Sequence, residues 1–361
     1  MKPAIVVSGL GLVTAYGVGT QAFWDGMVTG TDPSPATARA VDGTRRIGTI
    51  AGGARDWLAL AIDEAMAEAS FGSTDEQPLL VVAAQSVAPD AVAAENPIYA
   101  PSPVASSCHS WAEPLVVSHA CASVLFAVDL AHRILTSATA SSVLVVAVTE
   151  VTACMVDSLQ AVRAIGSSPS RPFDVRRDGI TIGEGAGAVL LETAAAAAAR
   201  GLSSRVRLAA TAASVDGRSA AASDHSAVLG CLLKAVDAAG VSAVDYVHAH
   251  ATGTPQGDAA EAVAIAGLVQ QLGGPEVAVS SHKGALGHLL HASALPGLVA
   301  GVRAIQTGVV PGTVNLDEPL QQPGASLPAG GQSVRPAAGV RTALVNAFGF
   351  GGNNATALLQ G

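Results

Sequence analysis

The sequence is poor in charged and aromatic side chains, and both shortages exclude classes of function. Of its 361 residues, 13% are charged and 3% are aromatic, and the formal net charge is -9. Lysine and arginine are scattered singly, so we expect no basic face for nucleic acid or for an anionic membrane surface. Because half of the residues are apolar, the chain can bury a large core as one domain or as two fused halves.

Cysteine is also scarce. The cysteines stand at positions 108, 121, 154 and 231. They form no CxxC pair and no regular spacing, so we expect no disulfide framework, and a reducing cytosol fits this pattern.

Long apolar runs are missing. The most apolar stretch, residues 143–156, is interrupted by Thr149 and Glu150. It is shorter than the roughly 20 apolar residues that a membrane-spanning helix needs. Met1 is followed almost at once by the strand-like run Ala4–Val7, without the pattern of a signal peptide. We therefore expect a cytoplasmic protein that does not span or bind a membrane.

Short runs rich in valine and leucine alternate with helical patterns along the chain. The predicted strands are Ala4–Val7, Leu79–Ala83, Val143–Val148, Ala188–Leu191, Val206–Ala210, Tyr246–Ala249, Val277–Ser280 and Ala355–Leu359. The predicted helices are Trp57–Ala69, Ala122–Leu135, Ser226–Ala239, Ala259–Leu272 and Leu289–Gln306. This alternation predicts an α/β fold whose sheets are covered by helices on both faces. The short segment Gly9–Gly11 is interpreted as a turn.

The two halves of the chain repeat one scheme. Each half ends in a glycine-rich turn that leads into an apolar strand, at Gly183–Gly187 and at Phe348–Asn354. The repetition predicts an internal duplication, with one half at 1–192 and the other at 193–361.

Cys121 lies at a predicted strand-to-helix turn, where α/β folds place their functional sites. We expect the free N–H groups and the dipole of the following helix to lower the pKa of its thiol towards the reactive thiolate. An arbitrary cysteine is more often a buried structural residue. Two later histidine-containing turns, residues 248–258 and 283–288, reverse these odds, because one thiol with two remote imidazoles is typical of a catalytic site.

With the segments Arg171–Asp174, Gly183–Ala186 and Asn346–Gly352, these turns closely resemble the β-ketoacyl-acyl-carrier-protein synthases of the thiolase superfamily. The motifs run in family order from about residue 4 to residue 359. The resemblance implies a thiolase fold, with duplicated βαβαβαββ halves in a five-layered αβαβα sandwich. It also implies a discrete type II condensing enzyme of polyketide or fatty-acid biosynthesis, or the chain-length-factor partner of such an enzyme.

The resemblance also implies roles for individual residues. Cys121 matches the nucleophile that accepts an acyl group, and His250 and His288 match the histidines that stabilise the enolate formed by decarboxylation of the extender. Lys283 matches the lysine that orients this pair. The N–H groups of Cys121 and Phe350 match the oxyanion hole, and Phe350 matches the gating aromatic residue. The supporting acidic residues implied by the family are Asp258, Glu261 and Glu184.

The implied reaction is a Claisen condensation that needs no cofactor. Decarboxylation supplies the carbanion, while neutral imidazoles donate to the enolate oxygen. The implied partner is an acyl carrier protein that delivers acyl and malonyl thioesters. We also expect a dimer, either a homodimer or a heterodimer with a related ketosynthase or chain-length-factor chain.

Several positions depart from the family pattern. His119 replaces a small hydroxyl residue, and His291 stands near the start of a helix that normally begins with small residues. We interpret both as filling volume or lining a narrowed pocket, together with Phe348. The family glutamate near the lysine is missing, which predicts that Lys283 has no ionic partner. The segment between Leu80 and Cys121 is also several tens of residues shorter than is usual.

Three other functions were considered. A non-catalytic chain-length-factor-like subunit fits the departures, but such subunits generally lose the thiol, so the retained Cys121 favours catalysis. A degradative thiolase uses a second cysteine near the C-terminus, and no cysteine follows Cys231. A zinc site at His248 and His250 lacks further ligands at standard spacing, and alternate residues of a strand point to opposite faces. We therefore expect no metal.

Overall fold

The structure is a computed structural model that describes residues 3–33, 52–72, 75–85, 113–203, 206–218 and 224–361, together with the backbone of two strands at 38–41 and 44–47. Cys108 and the shortened segment before Cys121 lie largely outside these residues. Within them, no helix is long and apolar enough to cross a membrane.

The helices are α1 Thr20–Thr29, α2 Ala54–Glu68, α3 Ser123–Thr136, α4 Ala153–Ala161, α5 Ala194–Ala199, α6 His225–Ala239, α7 Pro255–Leu272, α8 Lys283–Leu286 and α9 Ala294–Thr307. Local sequence explains several boundaries. At the start of α6, the Asp224 carboxylate accepts the N–H groups of Ser226 and Ala227. Pro255 opens α7, and Gly273 ends it in the left-handed conformation that glycine adopts without strain.

The strands are β1 Ile5–Thr14, β2 Gly17–Val18, β3 Ala38–Val41, β4 Thr44–Ile47, β5 Leu79–Ala83, β6 Leu115–Val117, β7 Ser142–Thr149, β8 Ile182–Gly183, β9 Gly185–Thr193, β10 Arg207–Val215, β11 Tyr246–His248, β12 Val277–Ser280, β13 Ala325–Ser326, β14 Thr342–Gly349 and β15 Asn353–Gln360. The main sheet has the order β13-β12-β11-β14-β15-β10-β1-β9-β7-β5-β6, with β2 paired to β1. A separate small sheet has the order β3-β4-β8.

The sheet topology shows the duplication directly. In the first half the sheet order is β6-β5-β7-β9-β1, and in the second it is β12-β11-β14-β15-β10, with the short β13 added at the edge. In the first half β7 pairs in parallel with β5 and antiparallel with β9, and in the second half β14 pairs in parallel with β11 and antiparallel with β15. The halves meet where β1 pairs with β10. The predicted duplication is confirmed, while the exact division between residues 192 and 193 stays a prediction.

The layers follow from the contacts of the helices. Helix α2 packs on β1, β9 and β7, and α6 packs on β10 and β15 beside α7. Helices α3 and α9 lie between the two halves of the sheet and contact strands of both. This order of helix, sheet, helix, sheet and helix confirms the expected five layers.

Side-chain alternation along the strands builds the cores between these layers. On β7, Val143 and Val145 face the central layer, whereas Leu144 and Val146 face α2. Strand β14 does the same in the second half, with Val345 towards the central layer and Leu344 towards α6 and α7. Both faces of each half-sheet are therefore apolar, which explains the continuous valine and leucine runs in the sequence.

The interpretation of Gly9–Gly11 as a turn was wrong, because all three residues lie inside β1. A Cβ atom on Gly9 would lie 2.0 Å from the carbonyl oxygen of Ala65, and one on Gly11 would lie 1.8 Å from that of Ala61. These glycines therefore let α2 approach the strand backbone closely, which is one use of glycine in a strand.

The single helix predicted over Leu289–Gln306 is also wrong at its start. A 3₁₀ turn at Leu290–Ala292 precedes α9, and Leu290 has a positive φ of 47°. The Ser293 hydroxyl oxygen accepts the N–H of Leu289 at 3.2 Å and so stabilises this break. The interruption holds the segment that follows His288 in a bend.

Candidate active site

Cys121 is presented by a strained turn between β6 and α3. Ala120, just before it, has a positive φ of 48°, a left-handed conformation that costs an alanine roughly 1–2 kcal/mol. The side chain of Ser123 holds the turn by accepting the N–H of His119 at 2.8 Å and donating to the carbonyl of Ala120 at 2.6 Å. Strain of this kind is typical of functional sites.

The β14–β15 hairpin from the other half of the chain packs against this turn. A Cβ atom on Gly349 would lie 3.0 Å from the backbone nitrogen of Cys121, so Phe350 follows directly after the point of closest approach. Phe350 is 41% exposed, and its carbonyl accepts the Asn353 side-chain amide at 2.6 Å. An exposed aromatic residue beside the nucleophile agrees with the position expected for a gate.

His250 lies on the loop between β11 and α7, and two buried carboxylates fix this loop. Glu261 accepts the N–H groups of His250 and Ala251 at 2.9 and 2.8 Å. Asp258 accepts the N–H of Thr252 at 2.9 Å and that of Phe173 at 2.8 Å. The expected supporting role of Asp258 and Glu261 is thus a set of backbone hydrogen bonds.

Lys283 is almost fully buried at the start of α8, and its ammonium donates to the carbonyl of His250. Burial lowers the pKa of Lys283, while the carboxylate of Glu261 acts in the opposite direction. Burial likewise raises the pKa of Glu261, and the Lys283 charge opposes that rise. The Glu261 carboxylate thus acts on Lys283 through space, and the prediction that Lys283 has no ionic partner stays a prediction.

His288 lies edge-on to His250, with ring centroids 5.4 Å apart and an interplanar angle of 84°. Its Nδ1 is 2.9 Å from the Ser293 hydroxyl, whose oxygen already accepts the N–H of Leu289. The hydroxyl proton of Ser293 can then donate to Nδ1, and this leaves the ring proton of His288 on Nε2. That tautomer can donate a hydrogen bond to a developing enolate oxygen.

Both imidazoles of this pair are neutral at physiological pH. Burial, followed by the nearby charge of Lys283, holds the pKa values of His250 and His288 well below their usual range. Neutral rings can donate to an anion without first losing or gaining a proton.

Two models of known protein domains match the sequence of this chain. The N-terminal domain of beta-ketoacyl synthases matches residues 38–197, and the C-terminal domain matches residues 205–317. The chain belongs to the β-ketoacyl synthase family. The chloroplastic 3-oxoacyl-[acyl-carrier-protein] synthase II of Arabidopsis thaliana is 37% identical over 191 residues, which are 52% of this chain and 35% of that enzyme.

Solved β-ketoacyl synthase structures share the fold over the whole chain. The ishigamide ketosynthase/chain length factor aligns with a TM-score of 0.85 and 23% identity, covering 100% of this chain and 99% of that one. The AntDE:AntF complex, a type II PKS acyl-carrier protein with its ketosynthase, aligns with a TM-score of 0.85 and 22% identity, also covering 100% and 99%. These likenesses confirm the expected thiolase fold.

The expectation that the pKa of the Cys121 thiol is lowered was wrong. Burial raises the pKa of the Cys121 thiol to about 11, although the Lys283 charge and the backbone N–H of Cys121 act to lower it. The turn in front of α3 provides favourable dipoles, but loss of hydration outweighs them. The resting side chain of Cys121 is therefore a neutral thiol.

The raised pKa of the Cys121 thiol can be tested by the pH dependence of Cys121 alkylation. Because only the thiolate reacts, a pKa near 11 predicts that the rate with iodoacetamide rises about tenfold per pH unit from pH 6.5 to 9.5 without a plateau. Peptide mass spectrometry on a Cys154→Ala background, which removes an exposed cysteine, would report the rate at Cys121 alone. A plateau already present at pH 7 would contradict a neutral resting thiol.

The residues that depart from the family pattern occupy defined positions. His119 stacks on Phe126, with centroids 3.8 Å apart, and its Nδ1 donates to Asn353 at 2.9 Å. Since Asn353 also holds Phe350, His119 connects the Cys121 turn to the hairpin. His291 donates from Nε2 to the carbonyl of Val148 at 2.8 Å, and burial lowers its pKa to about 4.

Two further predicted residues also lie in or near the site. The ring of Phe348 is buried, with its centroid 5.5 Å from that of His250. Glu184 is buried and accepts the N–H of Val151 at 3.0 Å. Their expected roles in the pocket and in support of the site stay predictions.

The sequence analysis missed two supporting residues, Ser293 and Asn346. Ser293 bonds to His288, and the Asn346 amide donates to Glu261 at 2.9 Å. Asn346 opens the glycine-rich motif already identified, so its polar side chain inside an apolar strand was an available signal. No comparable signal marked Ser293. Among the described residues, no group of three or more His, Cys, Asp or Glu side chains could hold a metal ion.

Proposed function

We propose that this chain is a ketosynthase that catalyses decarboxylative Claisen condensation of an acyl group, held on Cys121, with a malonyl-type extender on an acyl carrier protein. The observation that carries this proposal is the pairing of the His250 and His288 rings, with centroids 5.4 Å apart, beside the buried ammonium of Lys283, whose charge also acts on Cys121. One thiol, two neutral imidazoles and one ammonium are the groups that the two half-reactions require.

In the first half-reaction, the sulfur of Cys121 attacks the carbonyl carbon of an acyl thioester. A carbon–sulfur bond forms, the bond to the carrier thiol breaks, and the cysteine proton leaves with that thiol. The N–H groups of Cys121 and Phe350 would hold the oxyanion, since preorganised donors act where negative charge develops. Because the thiol is neutral at rest, a nearby neutral imidazole would accept its proton during attack.

In the second half-reaction, the extender loses carbon dioxide, and the electron pair of the broken carbon–carbon bond becomes an enolate. His288 Nε2 and the ring of His250 donate to its oxygen. The enolate carbon then attacks the acyl carbonyl on Cys121, forming a carbon–carbon bond and releasing the cysteine sulfur, which takes up a proton from water to restore the thiol. Lys283 would hold the His250 loop through its bond to the His250 carbonyl and make the cavity electropositive.

A second candidate function is a chain-length-factor-like partner subunit. It is favoured by the raised pKa of the thiol, which makes Cys121 a weak resting nucleophile, and by the structural likeness to a ketosynthase/chain length factor. We also propose a homodimer or a heterodimer with a related chain, and a cytoplasmic location. The three cysteines among the described residues are free, which agrees with a reducing compartment.

The test is turnover of carrier-protein thioesters by the purified chain, alone and with candidate partner chains. We expect intact-protein mass spectrometry to show a β-keto product on the carrier protein, longer than the starter by the two carbons of a malonyl extender. Carbon dioxide should be released in equal amount. If the chain forms neither product nor acyl adduct but supports a partner that does, it is the partner subunit instead.

A further inference from the structure

A chain of four buried polar side chains leads from the core of the second half towards the site. The Tyr246 hydroxyl lies 2.7 Å from the Ser280 hydroxyl and 2.7 Å from His248 Nδ1. His248 Nε2 lies 2.7 Å from His282 Nδ1, and the two rings stack with an interplanar angle of 10°. None of the four residues is more than 1% exposed.

The surrounding structure makes room for these hydrogen-bonded side chains. On α9, a Cβ atom at Gly297 would lie 2.9 Å from Cδ2 of His248, so a larger residue would displace the ring. Short, aligned hydrogen bonds in a dry environment strengthen one another and fix side-chain orientation. The rings of His248 and His282 are therefore held in place.

The row of hydrogen-bonded side chains ends at the ring of His282. His282 Nε2 is buried and has no hydrogen-bond partner among the residues that the structure describes. An unsatisfied buried polar atom costs about 1–3 kcal/mol, so native structures rarely keep one without a reason. A hydrogen-bond acceptor placed against the His282 ring would satisfy this nitrogen.

The electrostatic surroundings indicate which ligand group fits. His282 directly precedes Lys283, and the Lys283 charge and the rings of His288 and His250 all act on it. Although the buried Glu261 carboxylate partly offsets its charge, the Lys283 ammonium beside neutral imidazole N–H groups makes this region able to bind an anion. In the reaction proposed above, the anion that must enter is the carboxylate of the extender.

We propose that His282 is a further binding residue, whose Nε2 donates a hydrogen bond to the carboxylate of a malonyl-type extender while His248 and Tyr246 hold its ring. This inference rests on the proposed function. One set of proton positions satisfies every hydrogen bond from Ser280 to His282. Ser280 donates to Tyr246, Tyr246 donates to His248 Nδ1, and His248 Nε2 donates to His282 Nδ1, which leaves the proton of His282 on Nε2.

Two substitutions separate binding by Nε2 from a merely structural role. In His282→Asn the amide replaces Nδ1 and keeps the bond to His248 but loses Nε2. In His282→Gln the amide reaches the position of Nε2. Malonyl-loaded carrier protein is the probe, and the readouts are KM for carbon dioxide release and acylation of Cys121 from a thioester without a carboxylate.

We expect His282→Asn to raise KM for the malonyl probe about tenfold or more, as for a lost hydrogen bond to a charged group. His282→Gln should recover most of this loss, and acylation of Cys121 should be unchanged in both variants. Equal KM values for the wild type and His282→Asn would overturn the inference, as would a larger loss in His282→Gln than in His282→Asn.

Tyr246→Phe provides a second variant if His282→Asn is unstable. It removes the hydroxyl that donates to His248 Nδ1 and leaves both imidazoles in place. We expect a raised malonyl KM with unchanged acylation, and an unchanged KM would contradict the proposed orientation. If the wild-type chain releases no carbon dioxide with any partner, the proposed function fails, whereas normal release with no effect of these variants contradicts this inference alone.

Discussion

Replacing Cys121 by alanine is expected to abolish the acyl adduct and the condensation reaction completely. The acyl group must be held covalently between the two half-reactions, and the described residues offer no second thiol at the site. Cys154 is exposed on α4, and Cys231 is buried between α6 and the sheet. Intact-protein mass spectrometry after incubation with an acyl-carrier-protein thioester measures the adduct directly.

The matched control is Cys154→Ala, which removes an exposed thiol outside the Cys121 turn. This variant should form the adduct at the wild-type rate. Removal of one sulfur from Cys121 should also leave the fold intact, so the thermal unfolding midpoint should change little. An adduct of equal amount in Cys121→Ala would show that acylation occurs elsewhere, and absence from the wild type would favour the partner-subunit function.

His288→Ala is expected to retain acylation of Cys121 and to lose decarboxylation of the extender. The ring of His288 supplies a neutral donor on Nε2, and removal of one preorganised donor to a developing oxyanion typically costs about 10² to 10³ in rate. Loading does not need this donor, because the N–H groups of Cys121 and Phe350 hold the oxyanion in that step. Separate assays of acyl adduct and carbon dioxide release would measure the two steps.

His225→Ala is a suitable control, because His225 is exposed at the start of α6. It should change neither step. Loss of acylation in His288→Ala with intact extender turnover would reverse the proposed roles. A Ser293→Ala variant adds a graded test, since it removes the hydroxyl that orients Nδ1 of His288 and accepts the N–H of Leu289, and it should reduce decarboxylation by less than His288→Ala does.

The local pattern of the chain was enough to predict most of the scaffold. Strands Leu79–Ala83 and Val277–Ser280 have the bounds that their apolar runs predicted. These buried strands carry a strong signal because both faces are apolar. The Gly9–Gly11 segment was wrongly predicted to be a turn because its glycines serve a close contact with a helix. The carbonyl groups of α2 that they approach lie more than 40 residues away in sequence.

The candidate site also combines features that the sequence predicted with features that it did not predict. The resemblance to the β-ketoacyl synthases implied roles for Cys121, His250, His288 and Lys283, and these roles stay predictions. The pKa of Cys121 could not be read from this pattern. A helix start favours the thiolate, but desolvation depends on every group packed around the sulfur, and here it raises the pKa to about 11.

The sequence by itself determined the α/β class and the duplicated scheme, because apolar periodicity and turn chemistry are local properties. Only the tertiary structure decided the protonation states, the carboxylate near Lys283 and the chain from Ser280 to His282. These features depend on which segments, distant from one another in sequence, pack together around the same buried space. His248 and His282 are 34 positions apart, and only the pairing of β11 with β12 brings their rings together.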